Sequence, residues 1–561
     1  MTSPAPTLEK RPAARTRRRG PVVDPAALAE VERLTVGVER RRDLLIEALH
    51  CLNDALGCLP EGHLVALATL WRLAPVEVFE VATFYAHFEV VPAGAPLPPP
   101  LAVRLCDGPS CRMAGADALH DAVAAAPPDG CRVVAGPCMG RCDQGPVALV
   151  GRRAVTRATP KAIAAAAAEG GAPRLPGDAQ RLAHAHTEGV YRVLASLRAG
   201  QRSVEEVLTT LEEAGLRGLG GAGFPTARKW HTVRQMPGPR AVCVNADEGE
   251  PGTLKDRLWL EGRPHRVIEG ALIAAWAVEA DLVVIYLRDE YPEAHALLLA
   301  EIAEVIAHGL AGGVTIELRR GAGAYICGEE SAMIESIEGK RGWPRHRPPY
   351  VAQAGLFGRP TVVNNVETLC WVPEILEKGA AWWQDLGRHG RHGLRAFSVS
   401  GRVRLPGVKV APAGITLTEL LAEYCGGMAE GHRLKAFLPG GASGGIMPAA
   451  LADLPLDFGS FEPHGGFIGS GAVVVFSHAD DLREVARDLM RFMAHESCGQ
   501  CTPCRVGCDK AVSLLEAPAL DTDLLADLAQ VMRDGSICGL GQAAPNIWQT
   551  LLRHFPEEAR R

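Results

Sequence analysis

Hydrophobic positions keep a helical period early in the chain. Leu44, Leu45, Ala48 and Leu49, then Leu52 and Leu56, share one helix face until Gly57 and Pro60 break the run. Further helical runs continue to Phe84, Tyr85 and Phe88, so residues 34–98 read as a helical bundle for packing and docking. The Pro-rich string from Pro92 to Pro100 closes it as a linker. Residues 1–33, rich in Pro, Ala and Arg, read as a disordered tail, since no apolar segment follows Arg19 to complete an export signal.

The pattern then turns mixed. In 99–172, strand-like Leu101–Leu105 and Cys131–Ala135 flank an alanine-rich helix. Residues 173–200 read as a linker. In 201–394 an amphipathic helix (Val204, Val207, Leu208, Leu211) precedes strands at Ala241–Val244, Leu282–Leu287 and Val314–Leu318, separated by helices. That alternation predicts an open α/β sheet, whose strand-end loops are where ligands bind. Residues 395–480 show short strands with Gly and Pro turns around L-P-G-G-A-S-G-G, and 481–561 return to helix. The most apolar stretch, Gly270–Leu287, is broken by Glu279 and Asp281 and is too short to span a bilayer.

Composition narrows the class. A chain of 561 residues is too long for one core and fits three or four domains. Its 47% hydrophobic and 22% charged residues are those of a soluble protein, and a net charge of −6 gives no reason to expect nucleic acid. Sixteen cysteines form no short disulfide framework. Half fall into two ligand-like sets, which points to a reducing cytoplasm.

The first set is E-S-C-G-Q-C-T-P-C-R-V-G-C. Cys498, Cys501 and Cys504, two residues apart twice over, can put three thiolates on one [4Fe–4S] cube; zinc is the alternative. Spacing alone would make Cys508 the fourth ligand, as in bacterial ferredoxins. There, however, the fourth cysteine serves a second cluster and precedes proline, whereas Asp509 follows Cys508 and no second trio lies nearby. Cys538, among Gly535, Gly539 and Gly541, is therefore expected as the fourth ligand and Cys508 as core. The second set, Cys106 and Cys111, then Cys138 and Cys142, sits in loops after two short strands and suits a [2Fe–2S] cluster, with zinc or a redox disulfide as alternatives. Cys131 lies within a strand and reads as core.

Three unusual loops complete the pattern. G-L-R-G-L-G-G-A-G-F-P-T-A-R-K-W, Gly215 to Trp230, has the spacing of a dinucleotide loop but follows a helix rather than a strand. Its bare backbone, the helix start at Thr226 and Lys229 still favour an anion, so it reads as a phosphate loop. N-A-D-E-G-E-P-G crowds Asn245, Asp247, Glu248 and Glu250 behind a strand: a solvated loop, a divalent metal site, or a surface for a ribose or flavin. R-G-A-G-A-Y-I-C-G-E-E is the third, with P-R-H-R-P-P-Y and T-V-V-N-N-V-E-T beyond it.

Together these runs resemble the flavin-bearing NADH subunit of respiratory complex I. The segment before them, with V-A-T-F-Y-A-H-F and the C-x4-C…C-x3-C set, is similar to its thioredoxin-like [2Fe–2S] partner. The fusion of both, with R-G-W-P-R-H-R-P-P-Y, L-P-G-G-A-S-G-G-I-M-P-A and G-S-I-C-G-L-G-Q-A-A, most resembles the β subunit of NAD-dependent molybdenum or tungsten formate dehydrogenases. The resemblance implies an α/β multidomain protein: a helical bundle, a thioredoxin-like [2Fe–2S] domain, a Rossmann-like FMN/NADH domain, a small β-grasp (SLBB-type) domain and a helical [4Fe–4S] domain.

It further implies that FMN is held by Gly218, Gly220, Gly221, Lys229, Asn245, Asp247, Glu248, Gly328, Asn364 and Asn365. NAD(H) would lie against Phe224, Glu250, Glu330, Arg347 and Tyr350, with Thr232 where complex I members often carry a second aromatic residue; Gly223, Tyr325 and Glu329 are further cofactor-binding candidates. No side chain is expected to act as an acid or base, since nicotinamide moves electrons in pairs, clusters move them singly, and FMN does both. The implied partner is a large formate-oxidising subunit with a Mo/W-pterin and further iron–sulfur clusters. The rival readings are the diaphorase subunit of an NAD-reducing hydrogenase or of complex I, or an assembly module with degenerate clusters.

Overall fold

The computed structural model describes residues 22–560. Its central domain is built on four parallel strands in the order Thr361–Asn365, Arg240–Ala246, Ala280–Leu287 and Thr315–Arg320. The two inner strands read as near-continuous apolar runs because helices cover both faces. Helix Pro264–Val278 crosses helix Val366–Lys378 so closely at Gly270 that a Cβ there would stand 2.1 Å from the Leu369 carbonyl. Because the strands are parallel, all four exit at one edge. That edge carries the acidic loop after Ala246, Arg288 after Leu287, the G-A-G-A-Y loop after Arg320, and Asn364 and Asn365.

The first cysteine domain holds a four-stranded sheet in the order Cys131–Gly136, Leu101–Cys106, Ala148–Val150, Arg153–Val155, parallel in the first pair and antiparallel in the others. A mixed five-stranded sheet, from Gly407–Pro412 to Met447–Pro448, forms the module after the central domain. The bundle helices Leu45–Leu56, Glu61–Trp71 and Pro75–Phe84 share one apolar core with the C-terminal helices Leu482–His495, Thr502–Glu516, Thr522–Gly535 and Asn546–His554. Among the described residues no helix is long and apolar enough to cross a membrane.

Three segments differ from the sequence expectation. The stretch read as a tail is helical over Pro25–Leu34, with Asp24 capping it and Val31 buried; residues 1–21 lie outside the described part. The expected linker 173–200 contains helices Leu182–Thr187 and Arg192–Arg198, whose Leu182, Ala185, Leu194 and Leu197 enter the central core. His184, His186 and Arg192 interrupt the apolar period there and hide it. The T-V-V-N-N run, not counted among the expected strands, is an edge strand up to Asn365.

Candidate functional site

A cavity of about 320 Å³ opens at the strand-end edge of the central sheet. Gly220 and Gly221 supply bare backbone on one wall, and a Cβ on Gly220 would stand 3.0 Å from the Asn365 Cβ. Gly221 has φ +122°, open only to glycine in practice. Opposite, Asn245 Nδ2 donates to the Gly328 carbonyl at 2.8 Å, which joins the acidic loop to the G-A-G-A-Y-I-C-G loop. Asn365 Nδ2 donates to Asp256 at 2.6 Å, and Lys255 Nζ donates to Asn365 Oδ1 at 3.1 Å.

The acids on this wall are buried and do different work. Asp247 Oδ2 is buried with no hydrogen-bond partner among the described residues. Burial raises its carboxyl well above the usual range, against the pull of Arg288. Glu248 accepts the Asp256 N–H at 2.9 Å and the Tyr291 hydroxyl at 2.7 Å; burial, then the Asp256 charge, push it up to about 7. Glu250 Oε1 accepts from Ser443 N at 2.9 Å and Ser443 Oγ at 2.5 Å. Glu329 caps helix Glu330–Ile337 by accepting from Ser331 and Ala332. Burial alone would lower Lys255, but the Asp256, Glu367 and Glu248 carboxylates raise it.

Not every expected residue lines this cavity. Gly218 closes its own loop by donating to the Phe224 carbonyl at 2.8 Å, and Gly223 packs against the Phe458 ring. Asn364 Oδ1 accepts the Trp230 indole N–H at 2.7 Å and is buried. Lys229 Nζ donates to the Val363 carbonyl at 2.9 Å and lies 3.7 Å from Glu330, which is 3.3 Å from Arg347. Phe224 and Tyr350 are exposed, at 45% and 54%. Conversely, Thr253, Lys255, Ser443, Phe467 and Ser470 line the cavity although the sequence alone marks none of them as a site residue. Lys255 follows the acidic loop by three residues; Ser443 lies in the L-P-G-G-A-S-G-G run, which stands out without pointing to this serine, and Phe467, also from the five-stranded module, carries no local signal.

Both cysteine sets converge. Cys106, Cys111, Cys138 and Cys142 are buried and free of disulfides. Cys138 and Cys142 Sγ lie 3.3 Å apart, and Cys106 contacts both Cys111 and Cys138. Hydrogen bonds from Cys106 and Cys142, with the Arg288 charge beyond, hold the Cys138 thiol well below its usual range. Four buried cysteine sulfurs brought together are the donor set a [2Fe–2S] cluster needs. The other set starts where helix Leu482–His495 ends. Cys504 is lowered to about 7 by Cys508, and Ser497 Oγ stands 3.3 Å from its sulfur; Cys538, raised to about 12 by burial, faces Cys498 and Cys504. Cys508 is wholly buried on helix Thr502–Glu516 and Cys131 lies within its strand, both as expected.

The two sites abut. Gly539 and Leu540, next after Cys538, form part of the cavity wall. Trp343 Nε1 donates to the Cys498 carbonyl at 3.2 Å. A second cavity, about 590 Å³, runs from Gly108 and Cys138 past Arg104 to Phe492 and Glu496.

Comparisons with known proteins agree with this layout. Residues 211–374 match the Nuo51 FMN-binding domain, 484–561 the NADH-ubiquinone oxidoreductase-F iron–sulfur binding region, and 31–169 the thioredoxin-like [2Fe-2S] ferredoxin family. The fold and the site thus define a flavoprotein that fuses [2Fe–2S], FMN and [4Fe–4S] domains. The F-2 subunit of NADH-quinone oxidoreductase from Rhizobium meliloti is 41% identical over 385 residues, 66% of this chain and 91% of that protein. The F subunit of the Aquifex aeolicus NADH-quinone oxidoreductase is 42% identical over 385 residues, 66% and 88% of the two chains. A chain of an NAD+-reducing [NiFe]-hydrogenase, solved in the H2-reduced state, superposes with a TM-score of 0.81 at 35% identity, over 93% of this chain and 92% of that one. The chain belongs to the family of NADH-quinone oxidoreductase F subunits, as an NADH-binding flavoprotein of the diaphorase type.

Proposed function

We propose that this chain passes electrons between its iron–sulfur clusters and NAD+, and that a Mo/W-pterin partner oxidising formate supplies them. The observation that carries the first part is the shared wall: Gly539 and Leu540 follow Cys538 directly and line the cavity of the acidic loop. FMN bound there supplies the exchange between two-electron and one-electron chemistry. The chain's residues bind and orient. Gly220 and Gly221 let backbone approach the flavin, the unpartnered Asp247 Oδ2 offers it a polar contact, and Lys255 balances the buried acids. The exposed Phe224, Arg347 and Tyr350, with the half-buried Glu330 and Lys229, would hold the dinucleotide.

The formate assignment rests on the fused layout and the C-terminal motifs. A hydrogen-oxidising partner is the second reading, favoured by the near full-length likeness to chains of the NAD+-reducing [NiFe]-hydrogenase. Purification of the native complex separates them. Molybdenum or tungsten together with formate-dependent NAD+ reduction supports the first reading; nickel with hydrogen-dependent reduction moves the assignment to the second. An isolated chain without a flavin spectrum or NADH-dependent dye reduction would sink both.

A further inference from the structure

The Cys138 loop and the acidic loop meet over one guanidinium. Arg288, first after strand Ala280–Leu287, has a side chain only 3% exposed. Its Nη2 donates to the Cys138 carbonyl at 2.5 Å, its Nη1 to the Glu248 carbonyl, and its Nε to the Glu290 carboxylate at 3.1 Å. One of these carbonyls belongs to a cluster ligand and another to the wall of the flavin cavity. The loop is clamped beside it as well. Arg257 Nε donates to the Gly140 carbonyl at 3.0 Å, and a Cβ on Gly140 would stand 2.1 Å from the Tyr291 hydroxyl, itself bonded to Glu248. Arg141 pairs with Glu293 at 2.9 Å and with Glu261 at 3.1 Å on the loop's flank.

We propose that Arg288 is a positioning residue that raises the reduction potential of the [2Fe–2S] cluster by fixing a buried positive charge on the backbone of its ligand Cys138. A cluster gains one negative charge when it takes up an electron, so a nearby cation favours the reduced form. Burial leaves that attraction poorly screened, whereas a surface arginine would be damped by water and salt. Glu290 offsets part of the charge. Losing Arg288 alone therefore exposes the cluster to an unpaired carboxylate, and losing both removes the pair's opposing charges while Arg257 and Arg141 stay in place. The same three donor bonds hold the Cys138 loop in register with the flavin wall.

This rests on the reading that the four cysteines carry a [2Fe–2S] cluster, which the spectrum itself checks. The test is an anaerobic, mediator-poised titration of the purified full chain, followed by the electron paramagnetic resonance of the reduced [2Fe–2S] cluster. In Arg288→Met the ratio of reduced to oxidised cluster at a fixed potential is expected to fall about tenfold, a shift of about 59 mV to more negative values for one electron. Arg288→Lys should recover part of the shift, and Arg288→Met with Glu290→Gln should recover more. The [4Fe–4S] midpoint should stay in place in all three. A native midpoint in Arg288→Met overturns the proposal, as does Arg288→Lys behaving like Arg288→Met. If Arg288→Met does not assemble, Arg288→Gln is titrated in its place: a midpoint shifted to more negative values supports the proposal, and a native midpoint overturns it. A native chain without any [2Fe–2S] signal would refute the cluster assignment, and the Arg288 proposal with it.

Discussion

Glu496 Oε2 accepts the backbone N–H of Tyr325 at 2.9 Å. Glu496 stands two residues before Cys498, and Tyr325 lines the flavin cavity, so the contact seats the cubane loop on the flavin loop. The Phe492 ring, 5.1 Å from that of Tyr325, adds an apolar contact one turn earlier. The carboxylate is buried at 7% exposure, at the end of the 590 Å³ cavity.

Glu496→Ala should therefore loosen the junction without emptying the flavin site. The unsatisfied Tyr325 N–H costs about 1–3 kcal/mol, visible as a lower Tm. NADH-driven reduction of a dye that takes electrons at the flavin should stay near native. Stopped-flow reduction of the [4Fe–4S] cluster by NADH should slow about tenfold, the equivalent of about 1.4 kcal/mol. Glu496→Gln keeps an acceptor oxygen and should recover most of both losses; equal cluster rates in Glu496→Ala and native protein would show that the contact does not govern transfer.

The fourth cubane ligand can be decided by two substitutions. Cys538 stands near Cys498 and Cys504 at the start of helix Gly539–Ala543, and Cys508, wholly buried one turn beyond Cys504, touches the Cys504 sulfur and otherwise packs in the apolar core. Cys538→Ala should lose the [4Fe–4S] signal and about half or more of the site's iron while FMN stays bound. Cys508→Ala should keep both. The opposite pair of results would return the ligand role to Cys508.

What was legible in the sequence was what spacing encodes. Cys498, Cys501 and Cys504 within seven positions, the two loop pairs of the [2Fe–2S] set, and the glycines at Gly218, Gly220 and Gly221 specify their geometry locally. Residues whose roles depend on distant partners stayed hidden. Ser443 matters because it reaches Glu250, 193 positions away, and Lys255 because Asn365 and Glu367 come beside it in the fold. Asn364 shows the converse: its amide is engaged by Trp230, which nothing in the V-N-N run foretells. Arg288 carried no motif at all, only its place one residue past a central strand.

Glu248 should give stability a pH dependence of predictable sign. Its carboxyl is raised from 4.5 to about 7 by burial, so the folded chain holds that proton more tightly than the unfolded one. Stability is then highest below the unfolded pKa, falls as pH rises through the window from 4.5 to about 7, and stays reduced above it. Glu269, raised to about 7 by burial, contributes in the same direction. Glu248→Gln should flatten part of the decline of Tm with pH, on the order of 3 kcal/mol between about pH 5 and pH 8, while Asp247, Glu250 and Glu269, also raised by burial, keep their share. Parallel profiles for native and variant protein would exclude Glu248 as the source.

Glu250 should set the choice of dinucleotide. Two donors from Ser443 hold its carboxylate in the cavity, and Gly441 makes room for it, since a Cβ there would stand 2.6 Å from the Glu250 Cδ. A fixed carboxylate beside an adenosine ribose accepts from free hydroxyls and repels a 2′-phosphate. NADH should thus exceed NADPH in kcat/KM, and Glu250→Gln should narrow that ratio about tenfold, about 1.4 kcal/mol of discrimination, mainly by improving NADPH. The charge also predicts a pH signature. Burial raises the Glu250 carboxyl despite its hydrogen bonds, so lowering the pH neutralises it sooner than an exposed glutamate. The native preference for NADH should weaken as pH falls, whereas the Glu250→Gln ratio should stay level. A native ratio independent of pH, or one that Glu250→Gln leaves unmoved, would assign dinucleotide choice to the exposed rim around Arg347 instead.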